Sequence, residues 1–385
     1  MKKILTLLLA LWMLTGCVAM AAGNQLVVGS TTAMSGAFFT DLFGSNTADM
    51  DVRALLHGYN LMSWDNETGT YQINDSVVAG MAVSRDAQNN RVYTFDLYGD
   101  LKFSDGSAIT AKDYAFSILL TASPELAKLG GQSAAVGAIL GMDAYQSGKS
   151  SVLRGVRLLS DTQMSITIRK AYEPYFYEMA LFDYSPYPIS VLAPGCKVVD
   201  TEKGVGIVNA SGTGTAIFTA GLLQKTILDA ATGYMSHPSV VSGPYTLTRY
   251  DAQRGTASFA INPYYKGNED GEKPTIETIV YRTVANDEAI DLLLSGEVDL
   301  LNKMVAADTI SKGIQSTADQ PFSVANYPRS GLSMISFSCE RQTVSSKAVR
   351  QAIASCFDRD ALVKAYTGNF GLKANGYFGI GQWMY

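Results

Sequence analysis

The chain has 385 residues, enough for two or three domains of ~150 residues with sizeable cores. Hydrophobic residues make up 47% and charged residues 17%, which excludes disorder over most of its length. The 30 Lys+Arg against 35 Asp+Glu leave a net charge of −5 and no basic block, so no nucleic-acid partner is expected. Two histidines, His57 and His237, exclude a multi-histidine metal cage. The four cysteines include no CxxC pair, which removes zinc-ribbon and thioredoxin-type chemistry.

Lys2 and Lys3 precede an uncharged, mostly apolar run from Ile4 to Leu14. A short positive segment followed by such a run is a secretory leader, too short for a comfortable permanent span. Residues 1–22 are therefore expected to be a signal peptide. Its end, Leu14-Thr15-Gly16-Cys17, resembles the lipobox of bacterial lipoproteins, in which the cysteine thiol receives diacylglycerol. Ordinary cleavage after Ala19-Met20-Ala21, with Cys17 discarded, is the alternative. Either route exports the chain.

Gln25–Gly29 reads as a strand feeding a Ser/Thr/Gly-rich loop, Ser30 to Gly36, and a helical stretch leads from Phe38-Phe39 towards Leu55–Tyr59. Tyr93, Phe95 and Leu97 alternate with Thr94 and Asp96, the period of a half-buried strand. Ser104-Asp105-Gly106-Ser107 is a turn, and Thr110…Asp113 makes a capping box at the start of a helix. Residues 152–169 form a hairpin, Val156 and Leu158 facing Met164, Ile166 and Ile168 across Ser160-Asp161-Thr162. Residues 195–240 show weak periodicity. Strands are expected at 245–250, 256–262 and 275–283. A helix over 287–295 should place Ile290, Leu293 and Leu294 on one face. Near the end, Val349, Ala352, Ile353 and Cys356 line one helix, with Cys356 expected as a core thiol. Asp358 caps the next helix. The architecture is mixed α/β, with a change of unit near Ser242.

Several of these segments together carry a resemblance. Tyr93-Thr-Phe-Asp-Leu97 with Lys102–Asp113, Ser242-Gly-Pro-Tyr245, Asn262-Pro-Tyr-Tyr265 with Lys273-Pro274, Ser295–Asp299, and Val349–Ile353 with Asp358-Arg359 occur in one order. In that order and spacing they resemble the extracytoplasmic solute-binding proteins of the oligopeptide/dipeptide/nickel family. The resemblance implies an α/β, two-lobed, periplasmic-binding-protein-like fold (type II, family 5-like) with mixed sheets and a hinge. Residues 23–243 would form the first lobe, with an inserted subdomain at about 50–190, and 244–385 the second lobe. Members of that family continue beyond the position matching Tyr385. The second lobe and return segment are therefore expected to be incomplete.

The resemblance further implies a lipid-anchored receptor on the outer face of the cell membrane or in the periplasm. It would close on a solute, most simply an oligopeptide, and hand it to ABC permease subunits with their ATPase. A monomer without cofactor, metal or catalytic residues is expected. By position in the family pattern, Met34, Ser35, Gly36, Ala37 and Phe38 line the ligand site, and their Ser/Gly content should leave backbone groups accessible. A strand end at Phe337-Ser338 faces them from the second lobe, where the family usually has Phe-Asn. Gly243, Pro244 and Tyr245 form the hinge, and Cys17 carries the lipid. Metal-chelate or nickel binding and oligosaccharide binding are the alternatives on the same fold. An exported hydrolase is a rival class, but no Gly-x-Ser-x-Gly elbow, His-Glu-x-x-His or Gly-x-x-x-x-Gly-Lys loop is present. A sensory or structural lipoprotein is another.

Overall fold

A computed structural model of the chain describes residues 24–65, 67–132, 137–317, 321–327, 332–368 and 370–378. The signal segment and Cys17 lie outside the described residues. The chain divides into two compact units. The first holds the chain up to Val28, Thr32–Met62 and Ile73–Thr283; the second holds Gly29–Thr31, Ser63–Gln72 and the chain from Val284 onwards.

In the first unit, Tyr245–Asp251, Thr256–Ile261 and Thr278–Thr283 form an antiparallel meander, with residues 25–28 beside the last strand. Period-2 alternation turns Tyr245, Ala257, Phe259, Ile279 and Tyr281 to one side. There they pack with Val28, Met34, Phe38 and the helix Thr47–Leu56, through Ala48, Val52 and Leu56. This shared core explains why the division falls after Thr283 and not near Ser242.

A second antiparallel sheet has the order Val78–Arg85, Arg91–Leu97, Gln163–Ile168, Val156–Leu158. Tyr93, Phe95 and Leu97 are buried as their alternation demands, and Phe95 lies opposite Met164. Val156 pairs with Ile166 and Leu158 with Met164, the expected hairpin. The helix Ala111–Thr121 starts at the expected box: Asp113 accepts from the Thr110 amide at 2.8 Å and hydroxyl at 2.9 Å. Within the weakly periodic 195–240 region, Cys196–Thr201 and Gly204–Asn209 pair as a tight hairpin that also takes in Val152–Leu153.

In the second unit, the helix Ala289–Leu294 buries Ile290, but Leu294 is 42% exposed, outside the expected apolar face. Asp358 caps Arg359–Thr367, accepting from the Asp360 and Ala361 amides at 3.1 and 3.0 Å. The helix Lys347–Ser355 buries no residue, and Cys356 is an exposed thiol, not a core one. Its apolar face is formed as the pattern requires, but no layer among the described residues covers it. Cys196, Cys339 and Cys356 are all free thiols.

Candidate functional site

The segment Met34–Phe38 follows the first strand in the first unit. It is held by a row of side chains on the helix Thr47–Leu56 and its C-cap. Asn46 caps this helix, accepting from the Asp49 amide at 3.0 Å, and Asp49 returns a carboxylate oxygen to the Asn46 amide at 3.3 Å. The same carboxylate, fully buried, accepts from the Ser35 amide (2.9 Å), the Ser35 hydroxyl (2.6 Å) and the Gly36 amide (3.2 Å). Such a charge is stable there because several donors converge on it and the helix N-terminus favours an anion. One turn on, Arg53 donates from Nη1 to the Ala37 carbonyl and to the Ser45 hydroxyl, both at 2.8 Å. A further turn on, His57 Nε2 donates to the Phe38 carbonyl at 2.9 Å.

From the other side, the Phe38 amide donates to the Met235 carbonyl at 2.9 Å, and its ring meets Tyr250 edge-on with centroids 4.7 Å apart. Gly36 sits at φ +87°, a left-handed conformation that glycine adopts without a steric penalty. Burial, and then the nearby Asp49 carboxylate, push the Tyr250 phenol pKa up. Burial dominates at His57, with a smaller repulsion from Arg53, and together they outweigh the hydrogen bond to Phe38, holding the imidazole at about 4. His57 is thus neutral near pH 7, and Nε2 carries the proton that reaches Phe38. Phe39 packs against His57, Tyr187 and Tyr234, with centroids 5.9, 4.7 and 5.0 Å away.

The expectation of an open, backbone-accessible loop requires correction. Met34, Gly36, Ala37 and Phe38 are buried and only Ser35 is exposed. The amides of Ser35, Gly36 and Phe38 and the carbonyls of Ala37 and Phe38 are already engaged. Among the described residues, the Ser35 and Gly36 carbonyls and the Ala37 amide have no hydrogen-bond partner. The reason is tertiary: Asp49, Arg53 and His57 reach the loop from a helix whose register the loop sequence does not announce.

The expected hinge, Gly243-Pro244-Tyr245, is a tightly tied crossing inside the first unit. The Gly243 amide donates to the Leu56 carbonyl at 2.8 Å, and the Ser242 hydroxyl donates to the Gly58 carbonyl at 3.0 Å. Asn262 donates from its side chain to the Gly243 carbonyl at 2.8 Å and from its amide to the Pro244 carbonyl at 2.9 Å. Tyr245 is buried, and its hydroxyl donates to the Ile276 carbonyl at 2.9 Å. A Cβ on Gly243 would lie 2.5 Å from the Leu56 carbonyl carbon and 2.6 Å from the Leu55 oxygen. Only glycine lets these two segments approach so closely.

In the second unit, Phe337-Ser338 does not end a strand. Residues 332–338 form no strand and pair with none among the described residues. The Ser338 carbonyl instead accepts from the Arg341 amide at 3.0 Å, which closes a turn. Phe337 is partly exposed and Ser338 exposed. Among the described residues, no three His, Cys, Asp or Glu side chains converge as a metal cage. Sequence reading missed the row Asp49, Arg53 and His57. Its signal was available: polar residues four apart, at 49, 53 and 57, along one side of the helix and its C-cap.

Residues 76–385 match the family described as bacterial extracellular solute-binding proteins, family 5 Middle. The chain is 27% identical over 233 residues to the oligopeptide-binding protein OppA of Lactococcus lactis subsp. lactis (strain IL1403), covering 60% of this chain and 32% of that protein. It is 24% identical over 306 residues to the periplasmic oligopeptide-binding protein OppA of Escherichia coli (strain K12), covering 77% and 48%. Among solved structures, lactococcal OppA complexed with an endogenous peptide in the closed conformation matches with a TM-score of 0.62 at 19% identity, over 92% of this chain and 61% of that one. The chain thus spans about a third to a half of the length of these two curated relatives. The likeness bears out the α/β periplasmic-binding-protein fold class expected from the sequence.

Proposed function

We propose, from the premise that the chain belongs to the bacterial extracellular solute-binding proteins of family 5, that it is the solute-capturing part of an ABC importer and that its solute is an oligopeptide. The observation that carries this reading is the family match over residues 76–385, and the names of the two relatives favour a peptide solute. Local geometry supports it. Ser35, the exposed residue of a loop fixed from behind, has a C=O that no hydrogen bond within the chain engages, the kind of polar group that receives a peptide backbone without reading its side chains. In this reading Met34–Phe38 line the solute, with Phe337 and Ser338 as second-unit candidates. A ligand that contacts both lobes only when they are closed shifts the population towards closure. Cys17 carries the lipid that keeps the receptor beside its permease; a single acyl chain binds membranes only marginally, so the anchor is multiply acylated.

The test is mass spectrometry of solute co-purifying with the exported chain, joined to a thermal-shift titration. Peptides in the native spectrum, and saturable stabilisation by a pool of short synthetic oligopeptides, are expected. Stabilisation by a nickel chelate or an oligosaccharide with no response to peptides would replace the peptide reading. Turnover of a peptide substrate would replace the receptor reading with a hydrolase.

A further inference from the structure

The helix Thr47–Leu56 and its C-cap present Asp49, Arg53 and His57 at intervals of four residues, on one side of the helix. Each holds a successive piece of one loop: Asp49 the Ser35 and Gly36 amides, Arg53 the Ala37 carbonyl, His57 the Phe38 carbonyl. The order along the loop follows the order along the helix. The helix and its C-cap therefore hold the loop group by group. Other charged side chains of this helix face elsewhere; Asp51, for example, accepts from the Tyr281 hydroxyl at 2.9 Å.

We propose that Asp49, Arg53 and His57 form a positioning row that holds the backbone of Ser35–Phe38 in one conformation and thereby sets solute affinity, without any of the three touching the solute. This rests on the reading above that the loop lines the solute site. The row satisfies one set of the loop's backbone groups, so the carbonyl of Ser35, the loop's exposed residue, is presented in a fixed position. A loop free to rotate would populate that arrangement only part of the time, and apparent affinity would fall by the same fraction.

Arg53→Met tests it. The substitution keeps the apolar stem and leaves the Asn46–Asp49 cap untouched, while removing the donor to Ala37. Backbone amide exchange over residues 35–38 should quicken about tenfold, the loss expected for one charge-assisted hydrogen bond, with the sheet strand Thr256–Ile261 unchanged. The thermal shift given by a pool of short synthetic oligopeptides should fall in parallel, and Arg53→Lys should restore part of both. Exchange unchanged in Arg53→Met overturns the row. Faster exchange with the full peptide response retained overturns its role in affinity. If the wild-type chain gives no peptide response, the solute reading of the loop fails. The exchange arm then still decides whether the row holds the loop.

Discussion

His57 makes stability depend on acidity in a direction fixed by its surroundings. Its imidazole is held at about 4, chiefly by burial, against an ordinary value of 6.5. Above pH 6.5 both folded and unfolded chains carry it neutral. As pH falls below 6.5 the unfolded chain takes up a proton that the folded chain refuses until about pH 4, so stability drops through that window and then levels. At ~1.4 kcal/mol per pH unit, the loss is about 3 kcal/mol. His57→Gln removes the titration while placing an amide nitrogen near the position of Nε2, so the donor to the Phe38 carbonyl is retained. Denaturant unfolding of both proteins at steps from about pH 7.5 to about pH 4 gives the difference in stability directly. The variant should gain on the wild type by about 3 kcal/mol across the window. Subtracting the two curves cancels the other titrating groups. A difference that stays flat to within about 0.5 kcal/mol would show that His57 takes up its proton equally in both states, and the assigned burial would be wrong.

Asp113 should behave in the opposite sense. Burial raises its carboxyl from 3.8 to about 6 in spite of the Thr110 hydrogen bonds, so the folded chain loses about 3 kcal/mol as pH rises from ~4 to ~6. Asp113→Asn, neutral throughout and still able to accept from Thr110, should leave stability below pH 4 unchanged and raise it at pH 7; urea unfolding at the two pH values checks this, and a variant less stable at pH 7 would contradict it. Gly243→Ala should destabilise by about 2 kcal/mol because the added Cβ meets the backbone of Leu55 and Leu56, with the shift in melting temperature as the measure. A melting temperature equal to wild type would mean the crossing is looser than its hydrogen bonds imply. Cys17→Ser in a native host should release the protein from the membrane fraction or leave the precursor uncleaved, and a mature N-terminus at residue 22 or 23 in the unmutated protein would refute lipidation at Cys17.

Local chemistry was legible in the sequence wherever a pattern repeats at the period of its own element. Tyr93, Phe95 and Leu97 declare a strand and bury as a strand; Thr110 and Asp113 declare a helix start and form its cap; Val156 and Leu158 meet Ile166 and Met164 across the expected turn. The ordered motifs were enough to identify the family that the match over residues 76–385 establishes. The candidate loop was placed by that order as well, but not its condition. Periodicity says which face of an element is apolar, and nothing about which layer covers it. The sequence therefore could not report that Cys356 and its helix face stay exposed while Gly36, Ala37 and Phe38 are enclosed. Nor does it contain the pairing of Gly243 with Leu56, two segments far apart in the chain whose approach depends on the whole core between the meander and the helix Thr47–Leu56. The meander packs on that helix through Tyr245, Ala257 and Phe259, which drew residues 245–283 into the first unit. Asp49, Arg53 and His57 lie between these cases. Their spacing was visible in the sequence, but only the folded chain brings a loop alongside for them to hold, because a hydrogen bond needs its partner within ~3 Å and tertiary packing alone brings distant segments that close.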